Sequence, residues 1–125
     1  MEKVQTDKAP QAIGPYSQAI KAGDMVFCSG QIPLDPETGK LVEGEIGAQT
    51  ARVMENLKAV LVSAGGDLSN IIKTTILLKD LEDFKKVNEV YGSYFSEPFP
   101  ARATFEVARL PMDSNIEIEA IAKIN

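Results

Sequence analysis

Residues 71–78 read Ile71-Ile72-Lys73-Thr74-Thr75-Ile76-Leu77-Leu78, a run dominated by β-branched and apolar types. Such a run suits a pleated strand. Successive side chains of a strand point to opposite faces, so the adjacent pairs Ile71-Ile72 and Leu77-Leu78 place hydrocarbon on both. Val26-Phe27-Cys28 repeats the pattern earlier in the chain. A sheet that is apolar on both faces must be covered twice. What covers each face decides the fold.

Two helices supply one cover. Upstream, Val53, Met54, Leu57, Val60, Leu61 and Ala64 recur at helical spacing between Ile46 and Ala64, and Gly65-Gly66 provides a stop. Downstream, Asp80 can cap a second helix whose face holds Phe84, Val87, Val90, Tyr91, Tyr94 and Phe95, ended by Pro98-Phe99-Pro100. Farther out, segments Tyr16 to Ala22 and Met25 to Ile32 flank Gly23-Asp24, which suits a two-residue hairpin. Pro33, Pro36 and Gly39 mark a loop. Arg102 to Leu110 and Ile116 to Ile124 read as two more strands, separated by a turn over Pro111 to Asn115. Residues 1–15 are polar and read as irregular. The predicted order is β-β-α-β-α-β-β, an α+β fold in one domain over residues 1–125, with no repeat or linker. Right-handed crossovers put both helices on one face of the sheet. The other face is then covered either by the loop at 33–45 or by another copy of the chain. Self-association, with a cleft where subunits meet, is the expectation.

The chain carries 18 Asp and Glu against 13 Lys and Arg, a formal charge of −5. The basic residues are scattered, whereas a phosphate-backbone binder needs them clustered; nucleic acid is not an expected partner. The single cysteine, Cys28, has no intramolecular disulfide partner. No apolar stretch approaches the roughly 18 residues of a membrane span, and no charged-then-apolar leader opens the sequence. A cytoplasmic, reducing setting without membrane contact is the expectation. There is no histidine, which removes the commonest metal ligand and the commonest general base together. Chemistry here must rest on carboxylates, arginine, hydroxyls, backbone groups and water, with neither metal nor organic cofactor.

Several residues could carry it. Arg102 follows Phe99-Pro100-Ala101 at a strand start, where it reads either as a surface arginine or as a planar, two-toothed clamp for a carboxylate. Glu117 and Glu119 alternate with Ile116 and Ile118, so both carboxylates share the face opposite the isoleucines. They are either solvated side chains or a means of activating water. Asn88 sits in or beside the apolar helical stripe, where its amide must bond to a neighbouring backbone or lie near a ligand. Tyr16 and Ser29-Gly30 fall at strand edges, able to present a hydroxyl and an exposed amide. Ser29 lacks a histidine to activate it as a nucleophile, and Cys28 reads as a buried apolar side chain.

Taken together these segments resemble the RidA (YjgF-type) family. The resemblance is carried by Ile13-Gly14-Pro15-Tyr16-Ser17-Gln18-Ala19, Ser29-Gly30-Gln31-Ile32-Pro33, Asn56-Leu57-Lys58-Ala59-Val60-Leu61, Val87-Asn88-Glu89-Val90-Tyr91, Pro100-Ala101-Arg102, Glu106-Val107-Ala108-Arg109-Leu110-Pro111 and Ile116-Glu117-Ile118-Glu119-Ala120. It runs from about residue 7 to 123. It implies a chorismate-mutase-like fold assembled as a homotrimer around a central barrel, with clefts between subunits. It implies hydrolytic deamination of 2-aminoacrylate and related enamines or imines to 2-keto acids and ammonia. Non-catalytic binding of a keto or amino acid is the alternative. By motif position, Arg102 matches the arginine that holds the substrate carboxylate, and Glu117 the acid that positions water. Tyr16, Ser29, Gly30 and Asn88 match residues lining or supporting the pocket. Where many members have Ser-Cys after the arginine, this chain has Ala103-Thr104, and Thr104 is expected to contact the substrate in place of the thiol.

Overall fold

In the computed structural model, which describes residues 1–125, the apolar run at 71–78 is an inner strand of a six-stranded sheet. The elements in chain order are β1 (Glu2–Val4), β2 (Ala19–Ala22), β3 (Met25–Gln31), α1 (Ile46–Ser63), β4 (Ile71–Leu78), α2 (Phe84–Ser93), β5 (Ala101–Glu106) and β6 (Ile116–Lys123). Across the sheet the order is β1-β2-β3-β6-β4-β5. Every pairing is antiparallel except β4 with β5, which run parallel because α2 carries the chain back between them. Two helices on one mixed sheet make an α+β fold, as the residue pattern predicts.

The core lies between the helices and one sheet face. From α1, Val53, Met54, Leu57, Val60 and Leu61 are fully buried, and from the sheet Val26, Ile76, Leu78, Ile116 and Ile118 meet them. Each such side chain withdrawn from water contributes about 2 kcal/mol before entropy is counted. The α1 end follows from its glycines. Gly65 adopts a left-handed φ of 97°, and Gly66 N–H returns to the Leu61 carbonyl at 2.9 Å, closing the last turn.

Four boundaries differ from the pattern reading. β1 is a sixth strand where residues 1–15 read as irregular; three residues paired to β2 are too few to show an alternation. β2 starts at Ala19 rather than Tyr16, after the turn at Gly14. β5 stops at Glu106, because the chain leaves the sheet edge after Val107 N–H bonds to the Leu78 carbonyl at 2.9 Å. Asp80 does cap a helical turn, accepting from Glu82 N–H at 2.9 Å. That turn, Leu81–Asp83, is a separate 3-10 turn, and α2 begins behind it at Phe84.

The loop at 33–45 does not cover the open sheet face. It is tied back to α1, where Asn56 and Gln49 donate to the carbonyls of Leu34 and Gly44 at 2.9 and 3.2 Å. The open face therefore shows Phe27 at 47% exposure and Phe105 at 55%, with half-buried Leu77 and Ile121 as their sheet neighbours. Neither helix is long and apolar enough to cross a membrane.

Candidate functional site

The predicted residues fall into two groups on opposite faces of the sheet. Arg102 pairs in register with Thr74, whose side chain is buried towards the helices and hydrogen-bonds the Tyr91 hydroxyl at 2.7 Å. Arg102 therefore leaves β5 on the helix side. Its Nη1 donates to Asn88 Oδ1 at 2.6 Å, and its guanidinium carbon lies 5.4 Å from the Phe84 ring centre and 5.3 Å from that of Tyr91. Phe84, Asn88 and Tyr91 follow one another at helical spacing on α2, so one helix face supplies both rings and the amide. A cation held over aromatic faces is stabilised without being neutralised. Arg102 is exposed and takes part in none of the chain's ion pairs, so most of its N–H fork faces outward and unfilled. Thr104 is two residues along the same side of β5, and its buried Oγ1 has no hydrogen-bond partner.

Glu117 pairs with Leu77 and points to the open face. It lies in a cleft of about 560 Å³ with Tyr16, Ser29, Gly30, Glu119, Ile32 and Pro111 among the lining residues. β3 is irregular here. Its register with β6 shifts between Cys28 and Gln31, and Gly30 sits in that shift. The Glu117 side chain lies directly against Gly30. A Cβ added at position 30 would come within 2.8 Å of Glu117 Cδ and 2.9 Å of Cγ, so only glycine leaves the carboxylate its place. Burial, and then the nearby charge of Glu119, push the Glu117 carboxyl above its ordinary pKa.

Ser29 is no nucleophile in this setting: its Oγ donates to the Ser17 carbonyl at 2.6 Å and its N–H to the Gln18 carbonyl at 3.0 Å, tying the 17–18 segment to β3. Tyr16, at 53% exposure, stands at the cleft mouth. Burial pushes the Cys28 thiol up to about 12, so it stays protonated. No three His, Cys, Asp or Glu side chains converge as a metal-holding group. A larger hollow beside the start of α1 is lined by Lys79 and Lys86 and by Glu45, Asp80 and Asp83, which leaves it no cationic surplus, and it contains none of the predicted residues.

Tyr16, Ser29, Gly30 and Glu117 are thus brought together, as are Arg102, Asn88 and Thr104. The two groups are not brought together within one chain. Three contributors went unread in the sequence. Phe84 and Tyr91 belong by their period to the core stripe, although their spacing around Asn88 places them on its face. Gln18, 3% exposed, bonds the Thr6–Pro10 segment that backs the cleft, and no local pattern marks it.

Known proteins share much of this sequence and this fold. The family model described as "Endoribonuclease L-PSP" matches residues 6–124. A RutC family protein of Pyrococcus abyssi is 59% identical over 121 residues, covering 97% of this chain and 95% of that protein. The human protein named 2-iminobutanoate/2-iminopropanoate deaminase is 49% identical over 119 residues, covering 95% of this chain and 87% of its own. Among solved structures, RidA from an Antarctic Psychrobacter superposes with a TM-score of 0.96 at 49% identity, covering 99% of this chain and 100% of that one. Escherichia coli TdcF with bound serine gives 0.95 at 44% identity, with full coverage of both chains.

Proposed function

Because the chain belongs to the Endoribonuclease L-PSP family, whose members include RutC and RidA proteins, we propose that it hydrolyses 2-imino acids and their enamine tautomers to 2-keto acids and ammonia. The observation that carries this reading is Arg102: a guanidinium oriented by Asn88 and two rings, with no carboxylate of its own chain to fill its fork. That is a receptor for a small carboxylate. Its occupant needs a second group able to handle water, and Glu117 is the acid best placed to supply one.

Arg102 and Glu117 leave the sheet on opposite sides, so one copy of the chain cannot apply both to one molecule. We assign the cleft to a boundary between copies, with Arg102 from one and Glu117 from another, in a homotrimer that also covers Phe27 and Phe105. Tyr16, Ser29, Gly30, Asn88 and Thr104 line or support it. The substrate carboxylate docks on Arg102, which fixes the imine carbon in place and so replaces a bimolecular encounter with a positioned one. Glu117 accepts a proton from water as the oxygen adds to that carbon. Glu117 passes that proton to the nitrogen, giving the tetrahedral carbinolamine, and the C–N bond then breaks as the hydroxyl proton follows to the nitrogen and the C=O bond forms, releasing ammonia. Water and imine are the only reactants, and the proton taken by Glu117 returns to the leaving nitrogen. The spontaneous reaction is fast, so modest transition-state stabilisation suffices.

The relatives named as 2-iminobutanoate/2-iminopropanoate deaminases support this reaction class. A ribonuclease reading has less to rest on, since the chain has no histidine and a formal charge of −5. The solved relative holding serine favours a second reading, a site that binds an amino acid without turning it over. One experiment separates the two. A dehydratase that generates aminoacrylate is run with and without this protein, and keto acid and ammonia are timed. Faster release of both supports the deaminase; saturable ligand binding with unchanged release establishes the binder.

A further inference from the structure

The cleft beside Glu117 has irregular walls, and one buried carboxamide holds each of them. On one side, Gln18 Oε1 accepts from Thr6 N–H at 2.7 Å, while Nε2 donates to the carbonyls of Pro10 at 2.7 Å and Thr6 at 3.0 Å. The Ala9 carbonyl is a longer contact at 3.4 Å. On the other side, Asn56 is fully buried and its Nδ2 donates to the carbonyls of Leu34 at 2.9 Å and Ile32 at 3.3 Å. Arg52 Nε fills the Asn56 oxygen at 3.2 Å. Amides this deeply buried are costly unless bonded. Here every donor hydrogen goes to the backbone of a wall segment, which leaves none for a ligand. The first wall continues from Pro10 through Ile13 to Tyr16, and the second presents Ile32 and Leu34 to the same space. Ile13 is 88% exposed and Tyr16 53% in one chain, so what the chain itself supplies to fix that wall is chiefly hydrogen bonding, by Gln18 and by the Ser29 tie at Ser17.

We infer that Gln18 and Asn56 are positioning residues that set the width of the cleft and so select substrates by side-chain size. The inference rests on the deaminase reading of the same cleft. Neither amide needs to touch the reacting atoms. Loosening a wall should therefore weaken capture of a small substrate, which depends on a close fit, more than it slows the chemistry once the substrate is bound.

Gln18→Met keeps the volume and removes every one of these bonds. With an imino acid bearing a methyl side chain, its KM is expected to rise about tenfold while kcat changes less than about twofold. In competition, an isobutyl-bearing imino acid should gain ground on the methyl one relative to the wild type. A fall in kcat at unchanged KM overturns the inference, as does no change in either. Should Gln18→Met not fold, Gln18→Glu serves instead. Its ionised carboxylate repels the Pro10 carbonyl, and protonation restores one donor, so its KM should recover on acidification relative to the wild type at the same pH. A KM that does not recover also counts against the inference. If the wild-type protein releases no ammonia from either imine, the deaminase reading fails instead, and the Kd values of pyruvate and 4-methyl-2-oxopentanoate carry the same comparison.

Discussion

At the scale of single residues, the site is an arginine whose charge is oriented but not matched. Arg102→Ala is expected to reduce deaminase turnover at least about a hundredfold, since it removes the group proposed to place the substrate. Arg102→Lys should recover only part of this loss, because an ammonium lacks the planar fork. Near-normal turnover in Arg102→Ala would end the clamp assignment. Glu117 makes the second prediction. With its carboxyl raised by burial and then by Glu119, the acidic limb of the rate profile should lie above the ordinary glutamate range. Glu119→Gln removes the second cause and should move that limb to lower pH; an unmoved limb separates Glu119 from the chemistry. The sign for stability runs the other way. The folded state binds this proton more tightly than the unfolded chain does, so its contribution is complete at low pH and is lost as pH rises through the folded value. Glu117→Gln should thus melt no lower than wild type at neutral pH while losing activity. The alternation Ile116-Glu117-Ile118-Glu119 made both carboxylates legible in the sequence. The pairing of Arg102 with Asn88 was not legible, because it spans 14 residues and depends on how α2 crosses to β5.

At the scale of elements, legibility followed length. β4, α1 and β6 span eight or more residues each and show their periods plainly. β1, at three residues, cannot. Nor can a sequence show a register shift, since the extra residue in β3 is defined only against β6. That irregularity has a measurable consequence. It brings the Gly30 backbone under the Glu117 carboxylate, closer than any side chain at position 30 would permit. Gly30→Ala must displace the acid rather than the core, because the contact is with a side-chain end beside a cleft. Turnover is expected to fall about tenfold or more, as misplacement of a positioned group does, with a melting temperature close to wild type. Unchanged turnover would show that the carboxylate tolerates a different position, and with it that its placement over Gly30 is incidental.

At the scale of the whole molecule, the consecutive apolar residues in β3 and β4 already implied a sheet with two faces to cover, and one chain covers only one. What the pattern could not show was that the two groups of the proposed mechanism would be parted by that sheet, Arg102 under α2 and Glu117 on the bare side. The separation has a genetic signature. Chains carrying Arg102→Ala still offer an intact Glu117, and chains carrying Glu117→Gln still offer an intact Arg102. Unfolded together in equal amounts and allowed to reassemble, two dead variants should regain about a quarter of wild-type clefts, as random mixing around a closed ring requires. Refolded separately, each should remain inactive. A mixture as silent as its parts would place both groups of a working cleft on one and the same polypeptide. Otherwise each chain is half of two different sites, and a lesion on one side of the sheet can be complemented by a neighbour damaged on the other.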